Sequence, residues 1–227
     1  MKNLHDAEKL AKEMITIGKL AKRETVCVVT NMDEPLGYNI GNSLEVKEAI
    51  EALKGDIAED VKKVVLELGS YMIVLAGITN ELEKAKEMLI ENLQNGKAYN
   101  KFMELVKKQG GDITYLSDLE NFEESQYIEP IYSEKTGYIY SMDAKEIGKL
   151  ACSLGAGRVK KEDKIDSSVG IVLLKKVGDY VTKDEEIAYL HINNPEQLEP
   201  AKESIKKIIK IRKEKQEALK TIIKVIK

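Results

Sequence analysis

Residues 33–50 read Asp33-Glu34-Pro35-Leu36-Gly37-Tyr38-Asn39-Ile40-Gly41-Asn42-Ser43-Leu44-Glu45-Val46-Lys47-Glu48-Ala49-Ile50, a Pro/Gly/Asn loop that runs directly into a charged amphipathic helix. Just before it stands a β-branched run without charge, Thr25-Val26-Cys27-Val28-Val29-Thr30. Val and Thr fit a pleated surface, so this run is expected to be a buried strand. The segment therefore belongs on a strand–loop–helix turn. Turns of this kind, at the carboxyl ends of strands, are where α/β proteins place ligands.

Helices dominate the expectation for the first half. Leu4, Ala7, Leu10, Ala11, Met14 and Ile15 recur at three-and-four spacing over 4–22, which gives a helix with one buried face. The motif helix is expected over 44–54, with Ser43 as its N-cap and Gly55 as its stop. Val61, Val64, Val65, Leu68, Met72 and Leu75 predict a long, largely buried helix over 57–77. Two more are expected over 81–95 and 99–108, before Gly110-Gly111 breaks the pattern.

The acidic stretch 118–126 has few periodic apolar residues and reads as a crossing between two units. Beyond it, strands are expected over 127–132, 137–142, 169–175 and 185–192. They surround one helix whose Ile147, Leu150, Ala151 and Leu154 share a face, and Asp143 with Glu146 has the pattern of a capping box. The resulting division is 1–117, then a β-rich domain over 127–195, then a helical tail over 196–227 that packs back on the body. Lys175 to Val181 followed by Ile187 to Leu190 also looks like half of a biotinyl or lipoyl carrier fold. A carrier needs an exposed Lys at the tip of the next hairpin, where this chain has Asn193-Asn194-Pro195. That argues against a carrier and leaves a related barrel-sandwich architecture.

The chain has 227 residues, of which 43% are hydrophobic and 33% charged, with a net charge of −3. This suffices for cores, and no apolar run approaches the ~20 residues that span a bilayer. Near-cancelling charge also argues against a nucleic-acid surface, which needs a local excess of Lys and Arg. The basic tail Lys202, Lys206, Lys207, Lys210, Arg212, Lys213 and Lys215, interleaved with Ile205, Ile208, Ile209 and Ile211, is read as the solvated face of a docked amphipathic helix. Cys27 and Cys152 have no metal-ligand or redox spacing and are read as buried thiols in a reducing compartment. Met1 to Leu10 is mixed polar rather than an apolar signal segment, so the expected location is cytoplasmic.

The loop and helix at 33–50 resemble the signature P-L-G-x-x-x-G-N-x-L-E-V-x-E-A of the pyrimidine-nucleoside and thymidine phosphorylases. The resemblance continues upstream at Asp6 to Ala11 and downstream at Glu67-Leu68-Gly69 and Leu75-Ala76-Gly77. Ser133 to Ile139, Leu154-Gly155-Ala156-Gly157-Arg158 and Asp166 to Ile171 resemble the small C-terminal domain of the same family. It implies an α/β fold (α+β overall): the C-terminal part of the phosphorylase α/β domain, followed by a small β-rich, barrel-sandwich-like domain. The implied activity is phosphate-dependent, reversible cleavage of uridine, thymidine or deoxyuridine to free base and pentose 1-phosphate, with inorganic phosphate as co-substrate.

The resemblance also implies a bound K+, held by the backbone carbonyls of Leu36 and Asn39 and by the carboxylate of Glu48. A hard cation prefers such oxygen ligands. The plain alternative is that Leu36 to Asn42 is a tight connection and Glu48 a solvated residue beside Glu45 and Glu51. Family members carry a helical dimer-forming domain, a phosphate loop and base-binding residues that have no counterpart in residues 1–227. Met1 falls where such a chain is already inside its α/β domain. The expectation is a C-terminal portion, inactive alone, with half a K+ site and no catalytic or substrate-binding residue, whose parent is a homodimer. His5 and His191 lack a neighbouring nucleophile in sequence, and Gly155, Gly157 and Arg158 read as a helix cap and turn; none is given a catalytic role. A second class stays open, a non-catalytic fragment or partner-binding module with a bare sheet edge.

Overall fold

The computed structural model describes residues 3–158 and 160–227; Met1, which bears on the expected parent chain, lies outside them. Helices run over Leu4–Leu20 (α1), Asn42–Leu53 (α2), Glu59–Leu75 (α3) and Leu82–Gln94 (α4). Lys97–Lys108 (α5), Thr114–Ser117 (α6), Ala144–Ala151 (α7) and Leu198–Ile208 (α8) follow. The strands are Cys27–Thr30 (β1), Asn39–Ile40 (β2), Tyr127–Tyr132 (β3), Gly137–Ser141 (β4) and Gly170–Leu173 (β5). Tyr180–Val181 (β6), Glu186–Ile192 (β7), Lys210–Arg212 (β8) and Ile222–Ile226 (β9) complete them. The protein is thus mixed helix and antiparallel sheet, consistent with the expected α/β (α+β overall) class with a small β-rich part.

Two compact units cut the chain differently from the expected boundary at 118–126. One comprises Met1–Asn31, Glu59–Lys97 and Lys220–Lys227; the other comprises Met32–Ala58 and Ala98–Leu219. The strand before the motif and the motif itself therefore fall in different units.

In the first unit, β1 pairs antiparallel with β9, from Cys27 opposite Ile226 to Thr30 opposite Ile222. Lys224 reaches Glu8 at 2.9 Å and the Lys227 ammonium lies 5.0 Å from the centre of the Tyr71 ring. Gly69 lets α3 approach α4, since a Cβ there would meet the Leu89 side chain at 2.7 Å. Three expectations need correction here. The run at 25–30 is strand only from Cys27 and is half-buried, because its ladder is two strands wide. The tail 196–227 is helical only as far as Ile208, and two strands follow. Finally, α3 is not largely buried: Val65, Leu68 and Leu75 are exposed and Met72 is 70% exposed. On α1, Ala11 and Ile15 are buried while Leu10 and Met14 are exposed. Periodicity marks which face of a helix is apolar and is silent on whether that face is covered.

In the second unit, β2-β5-β7-β3 form one sheet and β6-β4-β8 another. Both feed one apolar cluster that includes Ile131, Ile139, Ile171, Leu173, Val181 and Leu190, sealed by Ile147 of α7 and Ile205 of α8. The two sheets share a core as a sandwich does, and no barrel closes among the described residues. Asp143 caps α7, accepting from the N–H groups of Lys145 at 2.9 Å and Glu146 at 3.1 Å. The reciprocal half of the expected box is missing, because Glu146 pairs with Lys149 at 2.7 Å instead. Ile139 is fully buried, so Ile139→Val, which deletes one methylene, is expected to lower the unfolding free energy by about 1 kcal/mol in urea with an unchanged slope.

The turn into β7 carries an acid-sensitive tie. Glu185 receives the Lys175 ammonium at 2.5 Å and the backbone and hydroxyl of Thr182 at 2.8 and 3.1 Å. The Lys175 contact first, then the Thr182 bonds, lower its carboxyl from the ordinary 4.5 to about 2. A depressed carboxylate stabilises fully above its unfolded value and loses that contribution as pH falls through the folded one. Glu185→Gln is therefore expected to flatten the fall in stability between pH 4.5 and about 2, read by acid titration of the far-ultraviolet signal.

Candidate functional site

The motif loop forms part of the second unit. Gly41, at φ +140, is the N-cap residue of α2; Ser43, expected to cap, lies one position inside the helix with its N–H donated to the Ser167 carbonyl at 3.1 Å. Gly41 cannot offer a side-chain oxygen, and Glu45 instead reaches back to its N–H at 3.2 Å. The helix ends at Leu53 and Gly55 follows at φ +108, the expected stop.

Glu48, in the second turn of α2, folds its carboxylate over the loop. It accepts from the N–H groups of Tyr38 at 2.8 Å and Asn39 at 3.2 Å. Gly37 stands at φ +71, and a Cβ there would meet Glu48 Oε2 at 2.7 Å. Glu48 is therefore a structural clamp rather than a solvated helix residue. A carboxylate has about four acceptor directions, so two bonds leave capacity for a further donor or a cation.

The loop is fastened from its other side by residues 114 to 143 positions later. The Tyr38 carbonyl accepts from Leu173 N–H at 2.7 Å as β2 joins β5. Lys176 donates to the Pro35 carbonyl, and its ammonium lies 5.1 Å from the centre of the Tyr38 ring. Glu34 accepts from Val177 N–H at 3.0 Å, and the Asn42 amide donates to the Ala156 carbonyl at 2.8 Å. Glu34 and Lys176 are site residues that sequence reasoning did not single out, whereas Asn42 is a fixed position of the motif. The signal was weak, a Lys-Val-Gly-Asp run read only as part of a carrier-like half fold.

The structure brings Leu36, Asn39 and Glu48 into one clamped loop, with Asn39 in β2 and the Leu36 side chain half exposed. The other candidates lie elsewhere. His5 is exposed on α1. His191 is half-buried in β7, its Nδ1 3.3 Å from the Ser125 hydroxyl, and burial first, then Lys47, pushes its pKa down. Gly155 stands at φ +113 in the turn after α7, which accords with the cap reading, and Arg158 follows it in an exposed loop. Cys27 and Cys152 are free thiols, half-buried rather than buried. No helix among the described residues is long and apolar enough to cross a membrane.

Residues 1–99 match the glycosyl transferase family a/b domain, and residues 138–212 match the pyrimidine nucleoside phosphorylase C-terminal domain. The pyrimidine-nucleoside phosphorylase of Staphylococcus epidermidis is 46% identical over 196 residues, covering 86% of this chain and 45% of that protein. The Bacillus subtilis pyrimidine-nucleoside phosphorylase is 46% identical over 193 residues, 85% of this chain and 45% of its own. A Staphylococcus aureus pyrimidine-nucleoside phosphorylase is 44% identical over the same length. The chain spans a little under half the length of these curated relatives. Two domain matches in chain order, and relatives at this identity over most of its length, place the glutamate-clamped loop in a known setting: the chain belongs to the pyrimidine-nucleoside phosphorylase family of glycosyltransferase-type enzymes, of which it covers the C-terminal portion.

Proposed function

We propose that this chain is the C-terminal part of a pyrimidine-nucleoside phosphorylase acting on uridine, thymidine or deoxyuridine. The reading is supported above all by 46% identity to such enzymes over 86% of the chain, a stretch that includes a loop built to stay rigid. In the reaction a phosphate oxygen bonds to the anomeric carbon while the carbon–nitrogen glycosidic bond breaks. The bonding pair leaves on the base nitrogen, which is protonated, and the products are free base and pentose 1-phosphate.

Such chemistry gains from fixed positioning and from charges placed before the reaction begins. The part this chain plays is to hold one wall. Glu48 and Lys176 grip the loop from opposite sides, so its backbone need not reorganise as substrate arrives. The chain itself carries no assigned catalytic or substrate-binding residue. Its loop donors also fit K+ in kind, being oxygens with a single negative charge and spare acceptor capacity at Glu48. Leu36 and Asn39 through their carbonyls, and Glu48 through its carboxylate, would hold the ion, which when bound supplies positive charge that braces the loop. The parent enzyme is read as a cytoplasmic homodimer formed through its other portion.

A second reading, a partner-binding module without catalysis, is favoured by one observation, the exposed apolar stripe of Val65, Leu68 and Met72 on α3. The deciding experiment follows phosphate-dependent release of uracil or thymine by ultraviolet absorbance. The chain alone is expected to be silent, and activity is expected on mixing with the upstream portion of a close relative. Activity of the chain alone would overturn the statement that it lacks substrate-binding residues, and silence in both would favour the module.

A further inference from the structure

A cavity of about 440 Å3 opens in the second unit, and none of the clamped-loop residues lines it. Two β-bulges converge on it. In β4, Ile139 pairs with Ile211 and Ser141 with Lys210, so Tyr140 is the extra residue. In β7, Ala188 pairs with Ile131 and Glu186 with Tyr132, so Ile187 is the extra residue. Both extra residues line the cavity. A bulge takes its residue out of the ladder and re-aims the side chain, and bulges concentrate beside functional sites. Here two of them, in different sheets, serve one hollow.

The lining has a clear division of chemistry. Buried Ile187 and Ile209 make an apolar base, and Tyr132 offers a half-exposed ring beside it. The Arg212 guanidinium carbon lies 3.1 Å from the centre of the Tyr140 ring, which orients the cation without neutralising it. Lys135 and Lys210 are exposed at the rim and, like Arg212, join no ion pair among the described residues. The one lining carboxylate, Glu134, is already held by Lys206 at 3.0 Å. Three like charges left unpaired around a concave surface repel one another unless an anion enters, and phosphate suits both the planar fork of Arg and the point charge of Lys.

We propose that this cavity binds a phosphorylated small molecule bearing an aromatic ring, its phosphate facing Lys135, Lys210 and Arg212 and its ring resting against Tyr132 and the isoleucine base. The volume lies within the roughly 300–1,000 Å3 of small-molecule sites. The assignment stands apart from the phosphorolysis reading and survives its failure.

The test titrates the full chain, labelled with 13C at isoleucine methyls, with adenosine 5′-monophosphate, and in separate arms with adenosine and with inorganic phosphate. Saturable shifts of the Ile187 and Ile209 methyls are expected with the nucleotide, with about tenfold or weaker binding of either half alone. Lys135→Glu and Lys210→Glu, both at exposed side chains, are each expected to weaken binding about tenfold while leaving urea unfolding unchanged. Rising salt should weaken it further. No saturable shift at those methyls, or the same affinity in both variants, would overturn the site. Equal affinity for phosphate and nucleotide would overturn the role given to the ring.

Discussion

Gly41→Ala is expected to lower the unfolding free energy of the second unit by about 4 kcal/mol, a large share of the roughly 5–15 kcal/mol that domains possess. Two effects add. Gly41 holds φ +140 and ψ 151, a region essentially closed to residues with a Cβ. The added methyl would also stand 2.5 Å from the Val169 carbonyl oxygen and 3.1 Å from the Gly170 Cα, both backbone atoms that no rotamer change can move. The contact is mutual, because a Cβ on Gly170 would lie 3.1 Å from the Gly41 Cα. The start of α2 and the start of β5 thus touch main chain to main chain. Calorimetry should find the transition of this unit lowered by about 8–16 °C. A drop equivalent to less than 1 kcal/mol would mean that the approach relaxes freely and that the loop is held by its hydrogen bonds alone.

Glu48→Ala is expected to cost about 3 kcal/mol, since two backbone N–H groups lose a charged acceptor and bonds of that type contribute about 1.5–3 kcal/mol each. Glu48→Gln should recover part of this, having one acceptor oxygen where the carboxylate has two. Urea unfolding measures the total, and hydrogen exchange locates it: the Tyr38 and Asn39 amides should exchange faster in Glu48→Ala while the amides of Leu190 and Ile192 change only with global stability. Unchanged exchange at Tyr38 and Asn39 would show that β2 is held without its clamp. In the reconstituted enzyme the same variant should lose most of its phosphorolysis if a rigid wall matters to the reaction, and any stabilisation by added K+ should vanish with it.

Much of this was legible in the sequence, for local reasons. The strands at β3, β4, β5 and β7 are alternating or β-branched runs, and α7 declares itself by Asp143 and the face shared by Ile147, Leu150 and Ala151. The tail misled because its isoleucines satisfy two periods at once. Ile205 and Ile208 fall a helical turn apart, yet Ile209 and Ile211 alternate, and Ile222-Ile223-Lys224-Val225-Ile226 is β-branched except for its lysine. That enrichment was the signal for strand, while the partner of β9 lies 195 positions upstream and leaves no local trace. At the site, the loop and Glu48 were legible as one motif. The grip of Lys176 and Glu34 was not, because it joins residues with no shared periodicity across a long stretch of chain.

The pairing of Cys27–Thr30 with Ile222–Ile226 has a consequence for how the molecule is made. A chain emerges from synthesis amino end first, and domains generally fold as units in that order. Every segment of the second unit is available once Leu219 has emerged, whereas β1 of the first unit, made before the second unit, still waits for β9. Until then β1 shows an unmated edge to whatever is nearby, the kind of edge on which chains aggregate. A strand made before the second unit is therefore finished after it, and the period of exposure is set by the time taken to translate everything between β1 and β9.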